Sequence, residues 1–485
     1  MSTLSRPYYL IFAALFQILH FFTNAAGQEI VARIEVEPGP NALVRISGSF
    51  ASALRPRNLS FLRSVAGLSG LGERISDVRL KSSGRPVTYQ AASRSEYLAD
   101  EPFDEWTYAV DLTPRKEQSA AAHVSWLTDE RGLLMLGDLL PTASENENAT
   151  SAKVKIILPA GWRQLENRLD ETLVTENAEN EVIAVGKNLR FRTVHVGGTA
   201  ISICLDGEWL FSSDEITSFV QQIYGRLSET FDTPAAKSVF VNVFRFPQNA
   251  PPGQWQAETR GTSVTIISSD MSFKTQSLQR LHEQLRHEMF HLWIPNGVNL
   301  SGNYDWFYEG FALYASLKVA VATNQIRFED LLDTLSRAHA IDSRQTDRLS
   351  LVQASADRWN GFETYIYARG MVTAFLCDVL MMSNSKGRRS INDLLREFYF
   401  KHKFPNERAN GNDAALSLFR SRPELSKVVD KYINGPGKLD WQNELQLAGL
   451  EGSNGLKVIA KPSGRQKDLL DALGYNNWRR LSQAN

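Results

Sequence analysis

The residues with the clearest chemical potential lie in one short stretch, His287-Glu288-Met289-Phe290-His291. On an α-helix, two residues four apart lie one turn above each other on the same face, so both imidazoles can point at one metal ion. Glu288 lies beside them, where its carboxylate could take a proton from a water molecule next to the metal. This arrangement is typical of a catalytic zinc site.

A third ligand is needed, because zinc in a hydrolase takes three protein ligands and keeps one open position. Glu309, eighteen residues after His291, is the best candidate. It lies in the segment Trp306-Phe307-Tyr308-Glu309-Gly310, where a carboxylate is costly to bury unless it is paired or bound to metal. We therefore predict one zinc ion per chain, held by His287, His291 and Glu309.

The elements that must position these donors are two helices and the loop between them. The segment from Ser277 to Trp293 has leucines at helical spacing, and both histidines fall off that leucine stripe. One face of the helix can therefore pack while another binds metal. His282-Glu283 lacks a second histidine four residues on, and we interpret His282 as a surface residue. For the five-residue pattern alone, the alternative is an ordinary helix with His and Glu on its solvated face.

The combination of His287-Glu288-x-x-His291-x-Trp293 with Glu309-Gly310-x-x-x-Tyr314 resembles the gluzincin peptidases. Among them it is most similar to the glycyl aminopeptidase family, and more distantly to the alanyl/leucyl aminopeptidase family. The run from Leu158 to Trp162 resembles the N-terminal domain of the same peptidases. The resemblance implies hydrolysis of peptide bonds at a single zinc, with Glu288 as general base.

A second motif concerns the oxyanion. Tyr367-Ala368-Arg369-Gly370 resembles the Tyr-x-Lys-Gly motif of these peptidases, with Arg in place of Lys. In gluzincins this tyrosine donates a hydrogen bond to the oxyanion formed from the scissile carbonyl, and the resemblance implies that role for Tyr367. Tyr365 is the second candidate. The alternative is that Tyr367 is a packed aromatic residue at the start of a helix.

A third motif concerns the substrate's free amine. An unpaired ammonium in a partly dry cleft is unfavourable, so an aminopeptidase needs a carboxylate there. Related gluzincins place a glutamate just before a strand beside the zinc, and Glu258 matches it, before the predicted strand at Ser263. Its neighbours Ala257 and Thr259 depart from the usual bulky and amide or imidazole residues. A solvated loop glutamate is the alternative interpretation.

The N-terminus has the features of a secretory signal. Arg6 precedes an apolar run from Tyr8 to Phe22, and the small residues Ala25-Ala26-Gly27 follow. These features predict a signal peptide over residues 1–27 and an exported protein, periplasmic or extracellular, without a stable membrane span after cleavage. The alternative is an uncleaved segment that anchors the protein in a membrane.

The chain of 485 residues is long enough for two or three domains. Short strands with turn residues between them predict an N-terminal β-sandwich over 28–205, and the zinc site places a peptidase domain over 206–440. In that domain, Ser212 with Glu215 fits a helix capping box. A short tail follows over 441–485. The predicted class is α+β, with a thermolysin-like zinc domain and a helical C-terminal part.

Composition limits the partners. The net charge is −1, which gives no electrostatic reason to expect nucleic acid. Two cysteines, Cys204 and Cys377, could form one bridge in an exported protein, although Cys377 lies in an apolar helical run and is interpreted as a buried free thiol.

The expected function is therefore that of an exported zinc aminopeptidase with peptides as its substrates. The sequence makes no prediction of oligomeric state. Two alternatives stay open: a catalytically silent secreted binding protein of the same fold, and a zinc hydrolase of a non-peptide bond.

Overall fold

The computed structural model describes residues 29–40, 42–50, 55–141, 151–164, 172–452 and 455–479. The predicted signal peptide, residues 1–27, lies outside the described residues. In the first described strand, Ile30, Ala32 and Ile34 are buried and alternate with outward-facing residues, as expected for a strand with one buried face.

The N-terminal part is built almost entirely of strands. Its elements are β1 (Glu29–Glu37), β2 (Leu43–Phe50), β3 (Asn58–Ser60), β4 (Ile75–Ser82), β5 (Arg85–Val87), β6 (Tyr89–Ser93), β7 (Glu96–Ala99), β8 (Glu105–Asp111), β9 (Trp126–Leu127), β10 (Arg131–Met135), the single turn α1 (Leu136–Leu139), β11 (Ser151–Ile157), β12 (Arg163–Gln164), β13 (Leu173–Thr175) and β14 (Val182–Gly186).

Three sheets organise these strands. One has the order β13-β11-β1-β2-β8-β4-β5, a second has the order β12-β14-β10-β9, and a third has the order β3-β7-β6. Side chains from all three sheets share one apolar core, which includes Trp106, Tyr97, Leu134 and Val185. The prediction of an N-terminal β domain is confirmed.

The remainder of the chain carries the long helices. Its elements are β15 (Arg190–Val196), β16 (Thr199–Leu205), α2 (Ser213–Phe231), β17 (Ser238–Arg245), β18 (Trp255–Arg260), β19 (Ser263–Ser268), α3 (Lys274–Phe290), β20 (Leu300–Ser301), α4 (Asp305–Ala322), α5 (Phe328–Arg344), α6 (Leu351–Ala356), α7 (Glu363–Ser385), α8 (Ile391–His402), β21 (Ala409–Asn410), α9 (Gly411–Arg420), α10 (Ser426–Val428), α11 (Gln442–Leu447), β22 (Leu450–Glu451), β23 (Lys457–Val458) and α12 (Gly464–Leu473).

A five-stranded sheet with the order β15-β16-β17-β19-β18 supports these helices, and β18 is one of its two edge strands. Strand β16 pairs in parallel with β17, so β15 and β16 belong to the sheet of the helical domain. The predicted boundary at residue 205 therefore falls two strands too late, and the structure places the change of domain before Arg190. A strand's alternation shows that one of its faces is buried, but it does not show which sheet the strand joins.

The two domains pack through an apolar cluster. Trp126, Leu133 and Val182 from the β domain meet Phe244 and Ile267 of the five-stranded sheet. Strand β18 contacts both the β domain and helix α3: Nη2 of Arg260 donates to the carbonyl oxygen of His123 at 2.7 Å, and the hydroxyl of Thr259 lies 2.8 Å from Oε2 of Glu288.

Helices α4 and α7 cross at two glycines. A Cβ on Gly310 would lie 2.4 Å from the Cα of Gly370, a distance that no real Cβ adopts. Only residues without a side chain allow this approach, and it brings Glu309, just before Gly310, next to the start of α7. The glycines of the Glu-Gly and Arg-Gly motifs, Gly310 and Gly370, are thus both required by the same close approach of the two helices.

Helix α7 is the one described helix that is long and apolar enough to cross a membrane, and 89% of its most apolar stretch is buried inside the protein. Burial on all sides is typical of a core helix that is apolar all round. Cys377 within it and Cys204 in β16 are both free and buried.

Candidate metal centre

Helix α3 presents the two histidines as its periodicity predicts. Leu281, Leu285 and Met289 are buried in the core on one side. The helix ends at Phe290, but His291 keeps helical backbone angles, with φ −66° and ψ −14°. The four-residue spacing therefore still places both imidazoles on one face.

His282 is not a surface residue. It is 1% exposed, its ring meets Phe219 of α2 edge-on at 5.0 Å, and its Nδ1 lies 3.0 Å from Nη1 of Arg286. Burial, with the charge of Arg286 added, lowers the pKa of His282 to about 3. The prediction was wrong because helix α2 covers this face of α3, and the sequence of α3 alone does not show that neighbour.

Three donor atoms converge at the other face of α3. Nε2 of His287 and Nε2 of His291 are 3.2 Å apart, and Oε2 of Glu309 lies 3.1 Å from the first and 3.4 Å from the second. Ligands about 2.0–2.1 Å from a tetrahedral zinc ion lie about 3.3–3.4 Å from one another. The three side chains, all buried or nearly so, therefore fit one zinc ion.

The electrostatics of the cluster favour a cation. Burial alone would raise the pKa of Glu309, but His291 and His287 beside it hold that pKa well below its ordinary value, so the carboxylate is ionised. Nδ1 of His291 lies 3.0 Å from the carbonyl oxygen of Ile294. A proton on Nδ1 donated to that carbonyl leaves the Nε2 lone pair for a metal.

Glu288 lies next to these donors and is 5% exposed. The hydroxyl of Thr259, on edge strand β18, lies 2.8 Å from Oε2 of Glu288 and also 2.8 Å from its carbonyl oxygen. A donor at this position fixes the carboxylate at the edge strand, where it can act on a water molecule near the metal. Related gluzincins usually have an amide or imidazole residue at the position of Thr259. The hydrogen bond from Thr259 to Glu288 is a role that the sequence alone did not indicate.

The two tyrosines that are candidates for the oxyanion donor have different surroundings in the structure. The ring of Tyr367 lies 6.2 Å from the ring of His287. The hydroxyl of Tyr365 instead donates to the carbonyl of Leu349 at 2.8 Å and is committed elsewhere. Burial raises the pKa of Tyr367 well above its ordinary value, so it stays a neutral phenol that can donate a hydrogen bond.

A comparison of the chain with protein families identifies the helical domain. Residues 226–432 match the description "Peptidase family M1 domain".

This part of the chain is similar to the M1 peptidase domain.

The match includes all three metal donors, Glu288 and Tyr367, and it confirms the prediction of a gluzincin-type zinc peptidase. The narrower preference for the glycyl aminopeptidase family stays a prediction, since the matching model is that of family M1.

Solved structures agree on the fold. An aminopeptidase N family protein from Idiomarina loihiensis superimposes with a TM-score of 0.75 at 14% identity, over 90% of this chain and 82% of that one. An M1 zinc metallopeptidase from Deinococcus radiodurans gives 0.57 at 14% identity, over 85% and 95%. A mutant of the latter bound to a Tyr-Ser-Ala substrate gives 0.57 at 13% identity, over 85% and 95%. No curated protein matches the chain at a significant level. The predicted α+β class is thereby confirmed.

Glu258 lies in edge strand β18, not in a loop. Its Oε2 is 2.9 Å from Nη2 of Arg260 and 3.1 Å from Nδ1 of His123 in the β domain. Burial would raise its pKa, but Arg260 and His123 hold the pKa below its ordinary value. The carboxylate is therefore ionised, is 24% exposed, and already has two partners at the junction of the two domains.

Arg358 is a second residue beside the metal donors, after Thr259, that the sequence did not indicate. Its Nη1 donates to Asp305 Oδ1 at 2.7 Å and to Glu309 Oε1 at 3.0 Å, and its Nη2 donates to the hydroxyl of Tyr367 at 2.8 Å. It lies in a single turn, Arg358–Asn360, between α6 and α7. No spacing rule marks it, because its partners come from two other helices.

Proposed function

We propose that the protein is an exported zinc aminopeptidase. The observation that carries the proposal is the triangle of donor atoms from His287, His291 and Glu309, with sides of 3.1–3.4 Å, beside the buried carboxylate of Glu288 in an M1 domain. A site that only holds metal for stability needs no base, so the position of Glu288 supports turnover over a silent binding protein.

The chemistry follows from the side chains. When bound, zinc is a Lewis acid that polarises the scissile carbonyl and makes nearby water easier to deprotonate. Glu288, held by Thr259, takes the proton of the attacking water and passes it to the leaving amine. Tyr367 donates to the oxyanion that forms from the carbonyl.

The aminopeptidase assignment depends on Glu258. It is an ionised carboxylate at the edge strand that lies beside Glu288, where it can accept hydrogen bonds from a substrate's α-ammonium. Because the guanidinium of Arg260 already partly neutralises it and His123 is a further partner, we expect it to bind the amine more weakly than an unpaired carboxylate would. Solved structures of the same fold contain a Tyr-Ser-Ala substrate, in a mutant M1 zinc metallopeptidase from Deinococcus radiodurans, and L-tryptophan, in a mutant two-domain M1 zinc metallopeptidase, which supports a peptide as the substrate here.

The proposal is tested with one peptide in two forms, with a free N-terminus and with an N-acetyl group. The enzyme is expected to cut the free form faster, to lose activity with a zinc chelator and to regain it with added zinc. Replacing Glu258 with alanine should raise KM for the free form and narrow the gap between the two forms, because only the free amine loses a partner. Glu283→Ala, on the exposed face of α3, is the control and should change neither value.

Each outcome of that assay favours one candidate function over the others. Equal rates on the free and acetylated peptides would overturn the aminopeptidase assignment and leave the zinc peptidase. Activity that no chelator removes would overturn the role of zinc. No turnover of any peptide by zinc-loaded protein would favour the binding protein or a hydrolase of another bond.

Export is proposed from the N-terminal sequence, the basic Arg6 followed by the apolar run and small residues. We expect mass spectrometry of the mature protein from its own host to find a chain that starts near Gly27 or Gln28. A chain that still begins at Met1 and sediments with membranes would contradict cleavage and support the anchor.

A further inference from the structure

Arg358 joins the metal ligand to the oxyanion donor. Its side chain is 12% exposed, its Nη1 donates to Oε1 of Glu309 and its Nη2 donates to the hydroxyl of Tyr367. We propose that Arg358 is a positioning residue that sets the orientation of Glu309 and Tyr367 together. The proposal rests on the proposed zinc peptidase function and adds a residue to it.

The surroundings of Arg358 show that it acts through its neighbours. Asp305 and Glu363 accept hydrogen bonds from its two terminal nitrogens at 2.7 and 3.3 Å, in addition to Glu309 and Tyr367. The guanidinium also lies over the ring of Trp359, 4.6 Å from its centroid. Both terminal nitrogens are thus engaged by the protein itself, which leaves Arg358 poorly placed to bind a substrate carboxylate directly.

The contact with Glu309 decides how its carboxylate meets the metal. Oε1 is held by Arg358, whereas Oε2 faces the two histidine nitrogens at 3.1 and 3.4 Å. A carboxylate fixed in this way presents a single oxygen to the ion. One-oxygen ligation keeps the total at three donors, so the fourth position stays open for the reaction.

The contact with Tyr367 decides which way its proton points. The phenol oxygen accepts a hydrogen bond from Arg358, so the hydroxyl proton remains to be donated to another acceptor. A cationic donor also polarises the phenol and strengthens the hydrogen bond that it gives. A lysine cannot replace this arrangement, because one ammonium lacks the planar fork that serves Glu309 and Tyr367 at once.

The first test measures zinc affinity by chelator competition and needs no turnover. We expect Arg358→Ala to bind zinc about 10–100-fold more weakly, and Arg358→Lys to give a smaller loss. The matched control is Arg348→Ala: this arginine is also 12% exposed, it pairs with buried Asp342 at 3.3 Å, and it has no hydrogen bond to a metal donor within the described chain. Unchanged affinity in Arg358→Ala would contradict the link to Glu309.

The second test is a double-mutant cycle on kcat at saturating zinc. In wild-type background, Arg358→Ala should lower kcat by about 10–100-fold with a small change in KM, because a charged hydrogen bond is lost. In a Tyr367→Phe background the same change should cost much less, since the hydroxyl is absent. Added guanidinium should restore part of the activity of Arg358→Ala only when Tyr367 is present. Equal losses in both backgrounds would contradict the link to Tyr367.

The zinc-affinity and kcat measurements distinguish a failure of the proposed peptidase function from a failure of the proposed positioning role of Arg358. If the protein hydrolyses no peptide, the zinc measurement still decides whether Arg358 orients Glu309. If peptides are hydrolysed and Arg358→Ala behaves like Arg348→Ala in both tests, the peptidase stands and the positioning role is overturned.

Discussion

Replacing Glu288 with glutamine is expected to lower kcat by about a hundred- to ten-thousand-fold while zinc stays near one equivalent per chain. Glutamine fills the same space, and its amide oxygen can still accept the hydrogen bond from Thr259 that now reaches Glu288 at 2.8 Å. It cannot take a proton from water. Peptide turnover and elemental analysis of the same preparation measure the two quantities.

Glu283→Gln is the matched control for this variant. Glu283 lies on the same helix, but it is exposed and pairs with Arg280 at 3.0 Å. We expect parental zinc content and turnover from it. Parental turnover from Glu288→Gln itself would show that another group is the base.

Removing a metal donor should have the larger effect. His291→Ala is expected to retain far less than one equivalent of zinc and to lose peptide hydrolysis by at least about three orders of magnitude, since the metal supplies several kcal/mol of transition-state stabilisation. The variant leaves two donors, Nε2 of His287 and Oε2 of Glu309, which are 3.1 Å apart. Two donors do not fill the three-ligand set of a catalytic zinc site.

His282→Ala is the control for loss of a buried imidazole from helix α3. His282 is 1% exposed and contacts Arg286, but it contributes no donor to the metal cluster. We expect it to lose some thermal stability and to keep its zinc. Full zinc occupancy in His291→Ala would remove His291 from the site, whatever the activity.

The sequence by itself determined what lies within single elements. The spacing of His287 and His291 placed both imidazoles on one helix face, and Ser212 with Glu215 marked the start of α2, where the structure shows the capping box. Such patterns can be found in the sequence because side chains three or four residues apart on a helix are always neighbours. The aromatic setting of Glu309 indicated a carboxylate that needs a partner, and the structure supplies two histidines.

Only the tertiary structure decided what depends on contacts between elements. Helices α4 and α7 cross at Gly310 and Gly370, and in this packing Tyr367 lies near His287 whereas Tyr365 donates to the carbonyl of Leu349, although the two tyrosines are only two residues apart. The burial of His282 depends on α2, and the hydrogen bonds of Arg358 depend on two helices that begin before and after it. These contacts follow from crossing angles and packing distances between helices, which no periodicity within one segment encodes.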